Sequence, residues 1–178
     1  MVLRSLVKAV GFVAGSIIAA GCSNSDVPGS ATAQLAEPGG NFGTNFNACN
    51  DLTDGDLRAY GLDPSTKQDA TAKLAGLGQG CEWAAQNVLI AFGVGGRTVN
   101  ELKADPRYYH VESIQIGGRE SVRIITEPAP GICGIGMPTG SASVVVSLTI
   151  KHKSLPTAGD PCALVTDIAN KFVTKLPK

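Results

Sequence analysis

Histidine is scarce in this chain: His110 and His152 are the only two in 178 residues. Neither stands in a His-x-x-x-His or Cys/His spacing, so no zinc or other imidazole-built metal centre is written into the sequence. Charge is also scarce. Asp, Glu, Lys and Arg make up 17% of the chain and balance at 15 basic against 15 acidic residues, which excludes the basic excess that nucleic-acid binding draws on. No apolar run approaches the roughly 20 residues of a membrane-spanning helix. Cys-x-x-Cys, the Gly-x-Ser-x-Gly nucleophile elbow and the Gly-Lys-Ser/Thr phosphate loop are all missing. The glycines at 131, 134, 136 and 140 do not form a dinucleotide fingerprint, and Pro138 forbids the helix such a loop would open. The sequence therefore announces no cofactor and no catalytic motif.

What is present begins at the N-terminus. Arg4 and Lys8 precede the apolar core AVGFVAGSIIAA (9–20), and Ile18-Ala19-Ala20-Gly21-Cys22 is followed by polar SNSD. This is the pattern of a secretory signal cut before a cysteine that becomes lipidated. Residues 1–21 read as a lipoprotein signal peptide and Cys22 as the lipid-bearing residue. The chain is then expected at the outer face of the plasma membrane, or secreted if ordinary cleavage releases it.

Cysteine usage fits export. Besides Cys22 there are Cys49, Cys81, Cys133 and Cys162, an even number that suits two disulfides in an oxidising compartment. Four cysteines allow three connectivities; pairing Cys49 with Cys81 and Cys133 with Cys162 closes the shorter loops. Each bridge would remove about 3–4 kcal/mol of chain entropy from the unfolded state. The competing reading is a reactive thiol at Cys162, close to a helix N-terminus.

Residues 22–47 are rich in Ser, Asn, Gly, Pro and Ala and short of large aliphatics, and read as a tether with an r.m.s. span of about 25–30 Å. Phe42 and Phe46 are the exceptions and read as the start of the packed domain. Residues 48–178 read as one domain. Removing 1–21 leaves 13 basic residues against 15 acidic, a net charge of −2, so an anionic membrane surface offers the body of the protein no electrostatic attraction. Low charge and 22 glycines favour a sheet with many turns.

Leu52-Thr53-Asp54-Gly55-Asp56-Leu57 predicts a helix over 54–60: Thr53 and Asp56 make a capping box, Leu52 and Leu57 a hydrophobic staple, and Gly61 ends it. Asp63-Pro64 blocks continuation, and 63–79 read as a polar connection. Strands follow at 81–84 and 87–94, the second placing Val88, Ile90, Phe92 and Val94 on one face; Trp83 reads as a core residue beside a disulfide. Thr98 and Glu101 cap a second helix that stops at Asp105-Pro106. Gly117-Gly118 joins strands 110–116 and 119–126 in a hairpin. Pro138-Thr139-Gly140 turns strand 131–137 into 142–152, whose Val144, Val146, Leu148 and Ile150 face the core while the opposite face, Val145 excepted, reads as partly wet. Asp160 and Pro161 open a last helix with Cys162, Val165, Ala169, Phe172 and Leu176 at helical spacing. The order, helix, two strands, helix, four strands, helix, predicts an α+β domain with a mainly antiparallel sheet.

The segments ACNDLTDGDLRAYGL, GQGCEWAA, the I-x-I-G-G-R hairpin and GDPCALVTDIANKFVTKLPK resemble a domain-of-unknown-function family of actinobacterial cell-envelope lipoproteins, over roughly 48–178. The resemblance implies the pairing of Cys49 with Cys81 and of Cys133 with Cys162, and a PsbP-like sandwich. It implies no activity.

Candidates for chemistry are few. Glu112, Glu120 and Glu127 lie on or beside paired strands and are weighed as a carboxylate pair for hydrolysis, against solvated strand-face charges. Arg107-Tyr108-Tyr109-His110 follows a helix stop, and Tyr108 and Tyr109 are the candidate binding residues, polar-tipped aromatics suited to a protein or glycan. The expectation is a non-catalytic binding or accessory module, tied to the membrane through Cys22, that binds an envelope protein, glycan or lipid and no nucleic acid. An envelope hydrolase and a lipid or small-molecule carrier are the alternatives.

Overall fold

The structure is a computed structural model that describes residues 42–71, 78–85, 87–126, 132–151 and 160–177. Helix α1 (Asp54–Ala59) is followed by strands β1 (Asp63–Asp69), β2 (Gln79–Ala85) and β3 (Val88–Gly95). Helix α2 (Val99–Lys103) leads to β4 (His110–Ile116), β5 (Arg119–Ile125), β6 (Ile132–Thr139) and β7 (Ala142–Ile150). Helix α3 (Pro161–Phe172) and a 3-10 turn (Val173–Lys175) close the chain. The seven strands form one antiparallel sheet in the order β1-β2-β3-β7-β6-β5-β4. The first three strands make a meander, α2 crosses the sheet, and the last four strands return from the far edge until β7 pairs with β3.

Both capping boxes form. Asp56 N donates to Thr53 Oγ1 and Thr53 N to Asp56 Oδ2 at 3.1 Å; Thr98 N donates to Glu101 Oε2 at 2.7 Å, with Glu101 N returning a bond to Thr98 Oγ1. Asp160 Oδ1 accepts from Cys162 N at 2.9 Å, and Pro161 occupies the first turn of α3. Each box satisfies N–H groups that have no partner within their own helix. The hairpin at Gly117-Gly118 has both residues at positive φ, +56° and +78°. This is the type I′ geometry that matches strand twist.

The main core lies between one face of the sheet and α1, α3 and the segment leading into α1. Val88, Ile90, Phe92 and Val94 of β3 and Val144, Val146 and Leu148 of β7 meet Val165, Ile168, Ala169 and Phe172 of α3. An aromatic chain runs through it: Trp83 to Phe92 at 5.8 Å, Phe92 to Phe172 at 5.0 Å and Phe172 to Phe46 at 5.4 Å between centroids, all edge-on. Phe46 thus belongs to the domain, and so does Phe42. An added Cβ on Gly78 would fall 1.8 Å from its ring and one on Gly96 2.9 Å, so two glycines make room for it. Cys49 is bonded to Cys81 and Cys133 to Cys162, the second bridge tying α3 to β6. Cys162 is therefore not a free thiol.

Three expectations are corrected. The connection expected over 63–79 contains strand β1, so three strands precede α2. Its sequence, DPSTKQD, is polar because β1 is the sheet's outer edge and mostly exposed, and Pro64 is tolerated there because no further strand asks for its N–H. Register shifts between Asp63 and Gln68, and Ala84 N donates to Thr66 Oγ1 at 2.8 Å.

The second correction concerns β6, which runs on through Pro138 and Thr139, paired with Ser143 and Ala142. The ladder with β5 has already ended at Val122 and Gly136, so Pro138 deprives no neighbour of a donor.

Third, the face of the sheet opposite α3 carries a second core of Val99, Leu102, Val122, Ile124 and Val145, with Tyr108 and Val111 against it. Helix α2 covers this face closely because β6 offers glycine beneath it. A Cβ on Gly136 would lie 2.8 Å from Leu102 Cδ1.

Candidate functional site

Cys22, Glu127 and His152 lie outside the described residues. The structure separates the other candidates.

Tyr108 turns inward against the second core. Its hydroxyl accepts from Arg97 Nη2 at 3.0 Å, and Asp105 joins both neighbouring arginines. Arg107 reaches Asp105 through Nε to Oδ1 at 2.9 Å and Nη2 to Oδ2 at 2.6 Å, while Arg97 Nη1 donates to Oδ2. Arg107 first, then Arg97, holds the nearly enclosed Asp105 carboxyl well below the usual carboxylate range, against the opposing effect of burial. Two guanidinium groups on one carboxylate make a rigid clasp. It fixes the 105–108 turn and leaves the next residue, Tyr109, 65% exposed. His110 beside it is exposed as well.

The carboxylates do not converge. Glu112 stands opposite Arg123 in the β4–β5 register and forms an ion pair with it. Glu120 is opposite Gln115, an odd step along β4, so its side chain projects from the other face. There Lys103 Nζ, 2.6 Å from Glu120 Oε1, holds that carboxyl below its ordinary range. Glu112 and Glu120 therefore cannot act as a pair on one substrate. Among the described residues no group of three or more His, Cys, Asp and Glu is placed to hold a metal ion.

A groove of about 1040 Å³ lies elsewhere, at one end of the sheet. It is built where four segments meet: the start of α2 (Thr98, Val99, Asn100), the β4–β5 turn with Arg119 and Glu120, the β6–β7 turn with Pro138 and Gly140, and the end of the chain (Asn170, Val173, Thr174, Leu176). Val99, Val173 and Leu176 give it apolar walls; Asn100, Asn170 and Thr174 give it amide and hydroxyl groups. Arg119 is held in place by backbone: Nη1 donates to Pro138 O at 3.1 Å and Pro177 O at 2.6 Å, and Nη2 to Leu176 O at 2.9 Å. Sequence reasoning missed this site. Arg119 sits in the I-x-I-G-G-R segment, which reads as a hairpin, and two of its three partners, Leu176 and Pro177, lie more than 50 residues away.

The domain carries two disulfides, which suit an oxidising, extracytoplasmic environment. Among the described residues no helix is long and apolar enough to cross a membrane. Residues 17–175 match the family model described as Protein of unknown function (DUF3558), and the chain belongs to that family. No curated protein and no solved structure is detectably similar to it.

Proposed function

We propose that this chain, within a family of unknown function, is a lipoprotein of the actinobacterial cell envelope. Cys22 carries its lipid anchor, and its PsbP-like domain is a non-catalytic binding or accessory module. The groove supports the binding reading: a concave site with apolar walls, two amides, a hydroxyl and a fixed guanidinium is the composition by which ligands are held and oriented. The space between sheet and α3 supports no carrier of the enclosed kind, since Trp83, Phe92 and Phe172 fill it.

Two variants of the full-length chain test the reading. Cys22→Ala should take up no palmitate analogue where the natural chain does. Asn170→Trp, which fills the groove from an exposed helix position, should fail to rescue a deletion strain at normal protein abundance, while Glu112→Gln on the far part of β4 rescues it. Full rescue by Asn170→Trp would remove the groove from the function.

A further inference from the structure

The chain enters the domain at the end of the sheet that carries the groove. Phe42 packs against Gly78 and Gly96, where β2 begins and β3 ends. Gly43 O lies 2.5 Å from where a Cβ on Gly140 would stand, and Thr44 Oγ1 is 3.0 Å from Thr139 Oγ1. Gly140 also lines the groove. Tyr109 and His110 lie at the opposite end, just before and at the start of the seven-residue strand β4, about 20–25 Å away at strand rise. Cys22 precedes Phe42 by 20 residues in the sequence. On the reading of Cys22 as the anchor, the lipid-bearing cysteine is connected to the end of the domain that carries the groove, and Tyr109 lies at the other end of the sheet.

The chemistry of the groove says what it meets there. Arg119 spends three of its five N–H groups on the carbonyls of Pro138, Leu176 and Pro177, which immobilise the guanidinium and leave two donors. Lys103 neutralises the neighbouring Glu120. A fixed guanidinium beside Val99, Val173 and Leu176 fits a phosphate ester that continues into apolar chain. We propose that the groove receives the phosphate headgroup of a lipid in the membrane to which the chain is anchored. This rests on the lipoprotein reading above.

The test uses the full-length lipidated chain in vesicles, with p-benzoylphenylalanine in place of either Thr174 or His110. In phosphatidylcholine–phosphatidylglycerol vesicles, light should produce several-fold more lipid adduct at 174 than at 110. In digalactosyl diglyceride vesicles, which lack phosphate, the excess at 174 should disappear. Arg119→Lys, which keeps the charge and loses the fork, should reduce the adduct several-fold; should that variant not fold, the two vesicle types still decide. Equal adducts at both positions, or no difference between vesicle types, overturns the proposal. So does suppression of adduct formation by inorganic phosphate as effective as suppression by a soluble short-chain phosphatidylglycerol, since the ligand is then the free anion. Flotation separates the two readings: a chain that leaves the vesicles has no anchor and the lipoprotein reading falls, whereas one that floats without adduct at 174 refutes the headgroup site alone.

Discussion

Lys175 Nζ lies 2.8 Å from Asp56 Oδ1, which ties the last turn of the chain to the capping box of the first helix. Lys175 first, then Thr53, lowers the Asp56 carboxyl to about 2. In the unfolded chain it titrates near 3.9. The carboxylate therefore stabilises the fold fully above about pH 4.5, and that contribution is lost as pH falls towards 2. Asp105 shifts in the same direction under Arg107 and Arg97 and adds to the same window. Denaturant titration should show stability declining across it. Asp56→Asn should flatten the decline and cost about 1–2 kcal/mol at neutral pH, solvent screening of a surface-lying pair having been discounted. An unchanged slope in the variant would mean that Lys175 and Asp56 do not interact in solution.

The two bridges close chain segments of similar length, with sequence separations of 32 and 29. Replacing Cys133 and Cys162 together by Ala should lower stability by about 3 kcal/mol, a large share of a domain total of about 5–15. Non-reducing peptide mapping of the natural chain should return the Cys49–Cys81 and Cys133–Cys162 peptides. Any other pairing contradicts the fold, because Cys133 and Cys162 join a particular strand to a particular helix.

Gly136 is where strand β6 admits helix α2. A Cβ there would stand 2.8 Å from Leu102 Cδ1 and 2.9 Å from Val122 Cγ1. Leu102 can give way at its tip, but Val122 is a stiff β-branched side chain within β5. Gly136→Ala should cost about 1–2 kcal/mol of overpacking strain. Combined with Leu102→Ala, the loss should be smaller than the sum of the two single losses, since each relieves the other. Additive losses in a double-mutant cycle would show that α2 does not rest on Gly136.

Much of this was legible in local sequence, and the exceptions have physical causes. Thr53 with Asp56 and Thr98 with Glu101 were readable because a capping box is completed within four residues. Gly117-Gly118 was readable because two positive φ values in a row demand such residues. Strand β1 was hidden because an edge strand with little buried surface keeps no apolar alternation; Asp63 to Asp69 look like a loop until Cys81 and Glu82 are set beside them. Val145 looked anomalous because the residues that cover it, Val99 and Leu102, belong to another element. The groove was invisible for the same reason: Arg119, Asn100, Asn170 and Thr174 become neighbours only when two turns and two helix ends are brought together. Nothing in the 107–110 stretch told which tyrosine faces out, since strand alternation there is set by the Asp105 clasp.

Tyr108 and Tyr109 should part company on substitution. Tyr108→Ala removes a ring from the small core under α2 and the hydroxyl that Arg97 holds at 3.0 Å, and should cost about 2–3 kcal/mol, as large-to-small changes at partly buried aromatics do. Tyr109→Ala should change stability by less than about 0.5 kcal/mol, because its ring lies in solvent. The functional effect is expected in the opposite sense. An exposed aromatic at the end of the sheet farthest from the chain's entry is placed to meet a partner, so Tyr109→Ala should weaken rescue of a deletion strain while thermal melting and abundance stay normal. His110→Ala, one residue on, should have less effect, since an imidazole offers a partner less apolar area than a phenol ring. Full rescue by Tyr109→Ala would leave the groove as the only binding surface proposed for this domain; a large loss of melting temperature in the same variant would show instead that its ring packs on the protein itself.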